Sequence, residues 1–402
     1  MPTVPASKRA TDGPADRRVL DDAARAVLAV AMRHANDVDR IGRFPAEAVE
    51  AMKQLGLLGA MLPRELGGQG ASLAAVASAC RIMGHGCASA AMVFAMHQIQ
   101  VACLLRHAVD EPWHRSFLEQ SARHQWLMAS ATSEDAVGGN LRNSGCAVEF
   151  NDGVFTLNKL APTISYGAHA DVILATARRG PTVQAADQVL VTLLKGSLTL
   201  TRRGGWDALG MRGTCSESFA LAAHGTSGQI FKTPFSEIAD RTMVPVSHIL
   251  WSAVWLGIAS DSLNQAQRYF RSQAQSGAGA LPPSAHRLAA AFSCLRLMSS
   301  RIDASLDDYA DATEPLSWAN SMAYASGMNA LKTSMSTTAL QIVQESMQVC
   351  GMAAYKNDSS YSLGRHLRDV CSAPLMINND RIDLNTANLL LAQRFNSPET
   401  GL

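Results

Sequence analysis

Near its middle the chain reads CAVEFNDGVFTLN over residues 146–158, with apolar and polar residues alternating on both sides of Asn151-Asp152-Gly153. A period of two is typical of a half-buried strand, and a turn of Asn, Asp and Gly favours a hairpin. Short strand patterns continue in DVILATARR, QVLVTLLKGSLTLTRR and SFALAAHG. The sequence therefore predicts a compact β domain over residues 126–245.

Helical patterns lie on both sides of this β domain. Before it, over residues 19–125, the segments VLDDAARAVLAVAMRHA and FPAEAVEAMKQLGLLGA place their aliphatic residues on one helical stripe. After it, long helical patterns occupy residues 246–402 and end in DRIDLNTANLLLAQRF. The polar residues 1–18 are predicted to form a flexible arm. The order of helices, strands and helices indicates an α+β protein of three domains.

Composition narrows the classes of function. The 402 residues are 47% hydrophobic and 17% charged with a formal charge of +1, which argues against disorder and against a nucleic-acid or acidic-membrane partner. Charged residues and glycines interrupt the most apolar region, residues 73–105, so we expect no membrane insertion. The eight cysteines form no CxxC pair, which predicts reduced thiols in a cytoplasmic protein and no metal site.

Five segments stand in order along the chain: FPAEAVEAMKQLGLLGAMLPRELGGQG, SATSEDAVGGN, WDALGMRGTCS, QVCGMAAY and GRHLRD. Together they resemble motifs of the acyl-CoA dehydrogenase family, and the resemblance covers nearly the full length. It implies bound FAD and a subunit of a homodimer or homotetramer. It also implies an N-terminal α-helical domain, a middle β-barrel domain and a C-terminal four-helix bundle.

Two segments of the middle domain carry flavin contacts if the resemblance holds. SATSEDAVGGN resembles the family's flavin loop, which places Ser133, Gly138 and Gly139 where a hydroxyl and backbone amides bind the flavin ring. LNKLAPTISYG places Thr163 where the family has a tryptophan over the ring, and Ser165 where a hydroxyl reaches the flavin N5 region. Taken alone, the two glycines would indicate only a tight turn.

Further cofactor contacts are implied in the C-terminal domain. The family's arginine for the FAD pyrophosphate falls on Gln273, with another arginine two residues away, and two positions in QVCGMAAY touch the FAD of a neighbouring subunit. These implied contacts are Arg271, Gln348, Gly351, Asn379 and Arg381. By contrast, Arg365 and Arg368 of GRHLRD are predicted to brace helix ends or domains rather than bind a ligand.

The glutamate that removes a proton from the substrate in most of the family has no counterpart here. Counted from GRHLRD its position falls on Ile377, and an alternative position before LGIASDSL falls on Ser247. A hydrocarbon accepts no proton and an isolated serine is a poor base. The candidate substitutes are Asp380, which could instead cap the last helix, and His97 and His248, which could instead be satisfied imidazoles without a catalytic role.

Three functions stay open from the sequence. The first is FAD-dependent α,β-dehydrogenation of an acyl thioester, carried by CoA or an acyl carrier protein, with a non-standard base and in a specialised biosynthetic pathway. The second is a flavin-dependent monooxygenase on the same scaffold that hydroxylates a small molecule with reduced flavin. The third is a non-catalytic binding or assembly protein. The first function needs an electron acceptor as partner, and the second needs a flavin reductase.

Overall fold

The computed structural model describes residues 14–137, 141–276, 282–312 and 318–392. Along these residues helices come first, strands second and helices last, so the predicted α+β order is confirmed. The first helix begins at Pro14, and proline suits the first turn of a helix because its missing N–H needs no partner there. Residues 14–18, which the sequence assigned to a flexible arm, are therefore helical, and residues 1–13 lie outside the described residues.

The N-terminal domain contains one almost fully buried helix, α4, which packs against α3 and against α7 (Val244–Ser276) of the C-terminal domain. Its helices are α1 (Pro14–Ile41), α2 (Ala46–Gln54), α3 (Leu73–Gly84), α4 (Ala88–His107) and α5 (Pro112–His124). Helix α3 starts after Ser72 because the Ser72 hydroxyl accepts the Ala75 N–H at 3.2 Å. Helix α4 is apolar around most of its circumference, which is the pattern of a helix enclosed by others.

The middle domain contains two separate sheets. Its strands are β1 (Met128–Ala131), β2 (Val148–Asn151), β3 (Val154–Ile164), β4 (Val172–Arg178), β5 (Gln188–Leu194), β6 (Leu198–Gly204) and β7 (Glu217–Thr226). The sheets have the orders β1–β4–β5 and β2–β3–β7–β6. The predicted hairpin is confirmed as β2–β3, with Asn151 opposite Val154 and with Asp152 and Gly153 in left-handed conformations.

The prediction of a β-barrel is wrong, because the described strands stay in two open sheets. An isolated pair, Ala147 with Arg178, links the sheets at one corner. Strand β4 of the three-stranded sheet is buried on both faces, whereas β3 of the four-stranded sheet buries mainly alternate residues. The three-stranded sheet is therefore covered on both sides, and the four-stranded sheet has one face exposed. The alternation of apolar and polar residues along a strand shows which face of the strand is buried, but not which strands pair at their edges. A closed barrel and two stacked sheets therefore give the same sequence pattern.

The C-terminal domain is helical. Its helices are α6 (Phe235–Ile238), α7 (Val244–Ser276), α8 (Ala285–Asp311), α9 (Trp318–Cys350), α10 (Met352–Tyr355), α11 (Gly364–Val370) and α12 (Asn379–Ala392). Helix α9 packs against α7, α8 and α12, which confirms the predicted four-helix bundle. All eight cysteines of the chain are free thiols.

Two helical stretches, Ala88–His107 and Phe235–Gln275, are long and apolar enough to cross a membrane by length and composition alone. Of their most apolar windows 89% and 94% are buried inside the fold. Such burial is what the central helices of a protein core show, and apolar side chains packed on neighbouring helices already account for the composition.

Helix α11 joins the C-terminal domain to the N-terminal domain through two arginines. The Arg365 guanidinium donates to the carbonyl oxygen of Gly86 at 2.9 Å, at the turn between α3 and α4. Arg368 pairs with the carboxylate of Asp39 near the end of α1. Both arginines therefore brace domains, as the sequence predicts.

The same helix joins the middle domain and α7 through Asp369 and His366. The buried Asp369 carboxylate accepts the Met211 backbone N–H at 2.6 Å, and His366 Nε2 lies 2.7 Å from a carboxylate oxygen of Asp261. Burial raises the pKa of Asp369, although Arg365 and the Met211 N–H act against that rise. Four residues of this one short helix thus contact all three domains.

Gly210→Ala is expected to lower the free energy of unfolding by about 3 kcal/mol, because overpacking against rigid backbone is destabilising. A Cβ at Gly210 would lie 2.0 Å from the Arg368 carbonyl oxygen and 2.6 Å from the Asp369 nitrogen. Denaturant unfolding measures the loss. Gly180→Ala is the matched control, since a Cβ at Gly180 meets nothing within 4 Å. Equal stability of the two variants would contradict this close packing.

Candidate active site

The two segments predicted to contact a flavin meet at the edge of the middle domain. Ser133 follows β1, and its hydroxyl donates to the Thr163 carbonyl oxygen at 2.7 Å while lying 3.3 Å from the Thr163 hydroxyl. The Thr163 side chain is exposed and Ser133 is half-buried. A polar edge with exposed hydroxyls is therefore available to a ligand whose rim carries hydrogen-bonding groups, as a flavin's pyrimidine ring does.

Ser165 belongs to a directed chain of hydrogen bonds. Thr214 donates to the carbonyl oxygen of Met211 at 2.8 Å, and the Thr214 and Ser216 hydroxyls are 2.8 Å apart. The Ser216 and Ser165 hydroxyls are also 2.8 Å apart. A hydroxyl has one proton, so Ser216 donates to Thr214 and Ser165 donates to Ser216. Ser165 therefore offers a ligand its lone pairs and not its proton.

A buried ion pair anchors the segment that contains Ser133. Lys159 Nζ lies 3.2 Å from a Glu134 oxygen, and the same carboxylate accepts the Ser144 hydroxyl and the Cys146 N–H, both at 2.8 Å. Burial acts to raise the pKa of Glu134, but Lys159 and these donors outweigh it and leave the pKa below its ordinary value. The carboxylate is therefore charged and structural.

This ion pair was not predicted from the sequence, although one signal for it exists. Lys159 occupies an inward position of β3, between Leu157 and Ala161 in the alternating pattern. A charged residue in the middle of an apolar face requires a buried partner, because an unpaired charge there would be costly. The pattern can indicate that such a partner exists, but only the fold identifies it as Glu134.

His97 has both ring nitrogens engaged with the backbone. Nδ1 accepts the Met128 N–H at 3.0 Å, and Nε2 lies 2.7 Å from the Leu58 carbonyl oxygen, to which it must donate. Complete burial lowers the pKa of His97 to about 4, so the ring is neutral at physiological pH. The geometry favours the alternative reading of His97 as a satisfied imidazole that ties α4 to β1.

His248 is also buried, on α7 against α9. Its Nδ1 lies 2.9 Å from the Met328 carbonyl oxygen and must donate to it, so Nε2 carries the lone pair. Burial, with a smaller contribution from the nearby charge of Lys332, lowers the pKa of His248 to about 4. A proton acceptor of this kind is weak, because its conjugate acid is strong.

Asp380 lies on the surface beside the position that lacks the glutamate. Its carboxylate is exposed, and its backbone N–H donates to the Asn378 side-chain oxygen at 2.7 Å. The side chain that caps α12 is therefore that of Asn378 rather than that of Asp380, which corrects the cap assignment made from the sequence. Ile377 itself is 42% exposed.

The other predicted cofactor residues are dispersed. Gly138 and Gly139 lie outside the described residues. Asn379 contacts Lys332 and Ser336 instead of the Ser133 edge. Four positions lie at the protein surface, where they are open to a ligand or another subunit: Arg271, Gln348, Gly351 and Arg381. Gly351 has φ of +54°, which explains why a glycine stands there.

Acidification is expected to destabilise the protein between about pH 6.5 and pH 4, in part through His97. In that window the unfolded chain protonates the imidazole, whereas the native state keeps it neutral, since its folded pKa is about 4. The contribution is roughly 3 kcal/mol. His97→Gln should flatten the dependence of unfolding free energy on pH, measured by denaturant titration. The exposed His286→Gln should not, and identical slopes for both variants would contradict the assignment.

Comparison with known protein families gives a match for the N-terminal part of the chain and another for the C-terminal part. The model of the acyl-CoA dehydrogenase N-terminal domain matches residues 14–125, and that of the acyl-CoA dehydrogenase C-terminal domain matches residues 240–376. Cyclohex-1-ene-1-carbonyl-CoA dehydrogenase of Geobacter metallireducens is 25% identical, covering 83% of this chain and 86% of that protein.

Two further similar proteins carry monooxygenase names. A probable FMNH2-dependent monooxygenase, SfnC of Pseudomonas putida, is 25% identical over 60% of this chain and 61% of its own. The crystal structure of FMN-bound TdsC from Paenibacillus sp. A11-2, a dibenzothiophene monooxygenase, has a TM-score of 0.83 at 21% identity, covering 95% of this chain and 99% of that one. The two domain models span most of the sequence, and the chain belongs to the acyl-CoA dehydrogenase family of flavin oxidoreductase enzymes.

Proposed function

We propose that the chain is a flavin-dependent monooxygenase that receives reduced flavin from a partner reductase. This proposal rests on one observation: neither position at which the family carries its glutamate has a side chain that can act as a base here. Ile377 has no proton acceptor, and the Ser247 hydroxyl donates its proton to the Met243 carbonyl oxygen at 2.5 Å. Oxidation of an acyl thioester needs a base at the α-carbon, whereas hydroxylation by reduced flavin does not.

The histidines support the same choice. His97 has no nitrogen free for a substrate proton, and His248 has a pKa of about 4 because it is buried. Positioned bases contribute factors of roughly a hundred to ten thousand in rate when their pKa lies near the working pH. A dehydrogenase built on these two residues would lose most of that factor.

The directed hydroxyl chain supports the use of reduced flavin. Ser165 donates to Ser216, so it presents an acceptor to the ligand. Reduced flavin carries an N–H at N5, whereas oxidised flavin carries a lone pair there. If Ser165 faces N5, as the family resemblance implies, its hydroxyl stabilises the reduced form and repels the oxidised form.

Ser133, Thr163 and Ser165 would hold the ring edge, and the exposed Arg271 would pair with a flavin phosphate. The family's pyrophosphate arginine is replaced by Gln273, which favours FMN over the FAD expected from the sequence. When bound, the reduced flavin supplies two electrons, so that one atom of oxygen enters the substrate and the other leaves as water.

A second candidate is the dehydrogenation of an acyl thioester carried by CoA or an acyl carrier protein. The similarity to a cyclohexene-carbonyl-CoA dehydrogenase over 83% of the chain favours it. The exposed Asp380 or the weakly basic His248 would then have to accept the proton, after a movement of the Ile377 segment. This candidate requires an electron acceptor instead of a reductase.

A homo-oligomer completes the proposal. Met352 and Tyr355 are 69% and 72% exposed, and they flank the surface that carries Gln348 and Gly351. Large apolar side chains exposed together favour association with another protein surface. A second copy of the chain would cover them and bring Gln348 towards a neighbouring flavin.

The test is a pair of half-reactions with the purified protein. Oxidised FMN-loaded protein is expected to keep its colour with a panel of acyl-CoA thioesters, because it lacks the base. Reduced protein given isotopically labelled oxygen and small aromatic heterocycles is expected to yield a product with one labelled atom, read by mass spectrometry. Bleaching by an acyl-CoA would overturn the proposal in favour of the dehydrogenase. Ile377→Glu is the control, since it restores a carboxylate at this position.

Ser216→Ala is expected to weaken the preference for reduced over oxidised FMN by about five-fold, the value of one hydrogen bond of about 1 kcal/mol. Without Ser216 the Ser165 proton is free to turn towards the ligand. Separate dissociation constants for the two redox forms, from anaerobic fluorescence titration, give the ratio. Ser218→Ala, two residues further along the chain, is the matched control, because the Ser218 hydroxyl donates to the Ala161 carbonyl oxygen instead. Equal ratios in both variants would contradict the directed chain.

A further inference from the structure

Lys332 is a fully buried lysine in the middle of α9. Its ammonium donates to the Ile377 carbonyl oxygen at 2.6 Å and to the Asn379 side-chain oxygen at 2.7 Å. Lysine is almost never fully buried without partners, because its charge loses its hydration. Ile377 lies just before α12 and Asn379 is the first residue of α12, so this lysine is directed at the turn that enters that helix.

That turn has an unusual backbone. Ile377 has φ of +50°, in the left-handed region, which a β-branched residue rarely adopts. Its side chain is 42% exposed, so the burial of its own side chain does not hold it there. Strain of this kind persists only where the surrounding structure over-determines the conformation. The bond from Lys332 to the carbonyl oxygen of the same residue is such a constraint.

We propose that Lys332 is a positioning residue that holds Ile377 in its left-handed conformation, and thereby fixes the position of the absent glutamate just before α12. The role of the turn in the reaction rests on the proposed function; the clamp itself does not. Lys332 acts through the backbone of Ile377 and not by contact with a substrate.

The surroundings of Lys332 favour a fixed donor over a mobile one. Its ammonium lies 6.0 Å from the centre of the Trp255 ring on α7. Burial lowers the pKa of Lys332 to about 8, and Asp383 on α12 acts against that decrease. Near pH 8, where Lys332 titrates, His248 on α7 is neutral because its own pKa is about 4. Even the neutral amine keeps two N–H groups for its two oxygen acceptors, so the clamp survives loss of the proton.

The test is a double-mutant cycle of Lys332→Met and Ile377→Gly. Methionine keeps the length of the apolar stem and removes the donors, whereas glycine adopts a positive φ without strain. Amide hydrogen exchange of flavin-free protein reports the turn, since the Asn379 N–H donates to the Pro374 carbonyl oxygen at 3.0 Å. Lys332→Met is expected to speed amide exchange at residues 377–381 about ten-fold. In the Ile377→Gly background the same substitution is expected to speed exchange markedly less, because glycine needs no clamp to hold a positive φ.

Ser336→Ala is the matched control, because Ser336 contacts Asn379 but not Ile377. It is expected to leave the exchange of the Ile377 segment within about two-fold of the wild type. An equal acceleration by Lys332→Met in both backgrounds would overturn the clamp, since the effect would then be general loss of structure.

A second measurement keeps the proposal testable if Lys332→Met does not fold. Ile377→Gly alone relieves the strain while Lys332 stays in place, so its melting temperature is expected to be no lower than that of the wild type. A clear decrease would overturn the proposal. Flavin binding by the wild-type protein is measured separately, so failure of the proposed function leaves the exchange result intact.

Discussion

The main chain of Gly210 lies directly against helix α11, and this contact holds the three domains in one arrangement. There is no room for a Cβ between that glycine and the backbone of Arg368 and Asp369. At so close a contact the backbone N–H groups are shielded from water and need a partner within the protein. The buried Asp369 carboxylate is that partner for the Met211 N–H. The arginines of the same helix then reach the N-terminal domain. One short helix thus relates the middle-domain edge to the bundle.

The positions that the family resemblance implies come from different domains, so their relative placement depends on that relation. The hydroxyl edge of Ser133, Thr163 and Ser165 belongs to the middle domain, while the Ile377 turn follows α11 in the C-terminal domain. Each part is fixed by buried polar groups rather than by apolar packing: an ion pair beneath Ser133, a hydroxyl chain beneath Ser165 and a lysine behind Ile377. Satisfied buried networks of this kind are rigid and directional, because their donors and acceptors are paired within the network.

The sequence predicts positions for the candidate site but not the roles of the side chains there. The motif segments point to Ser133, Thr163 and Ser165, which the fold brings to one edge, and they predict that the family's glutamate position falls on Ile377. They also proposed His97 as a base, although its two nitrogens bond to backbone groups far away in the sequence. Whether a buried histidine is free or satisfied depends on partners that no local pattern contains.

By itself, the sequence determined the order of helices, strands and helices, the β2–β3 hairpin, the bracing arginines and the family, because these depend on local periodicity, turn chemistry and motif spacing. Tertiary structure alone decided that the sheets stay open, that Glu134 neutralises Lys159, that the Ser165 proton points inward and that Lys332 holds Ile377. Each of these is a pairing between residues distant along the chain. The choice among partners is made by burial, which leaves a polar group only the acceptors or donors within its reach.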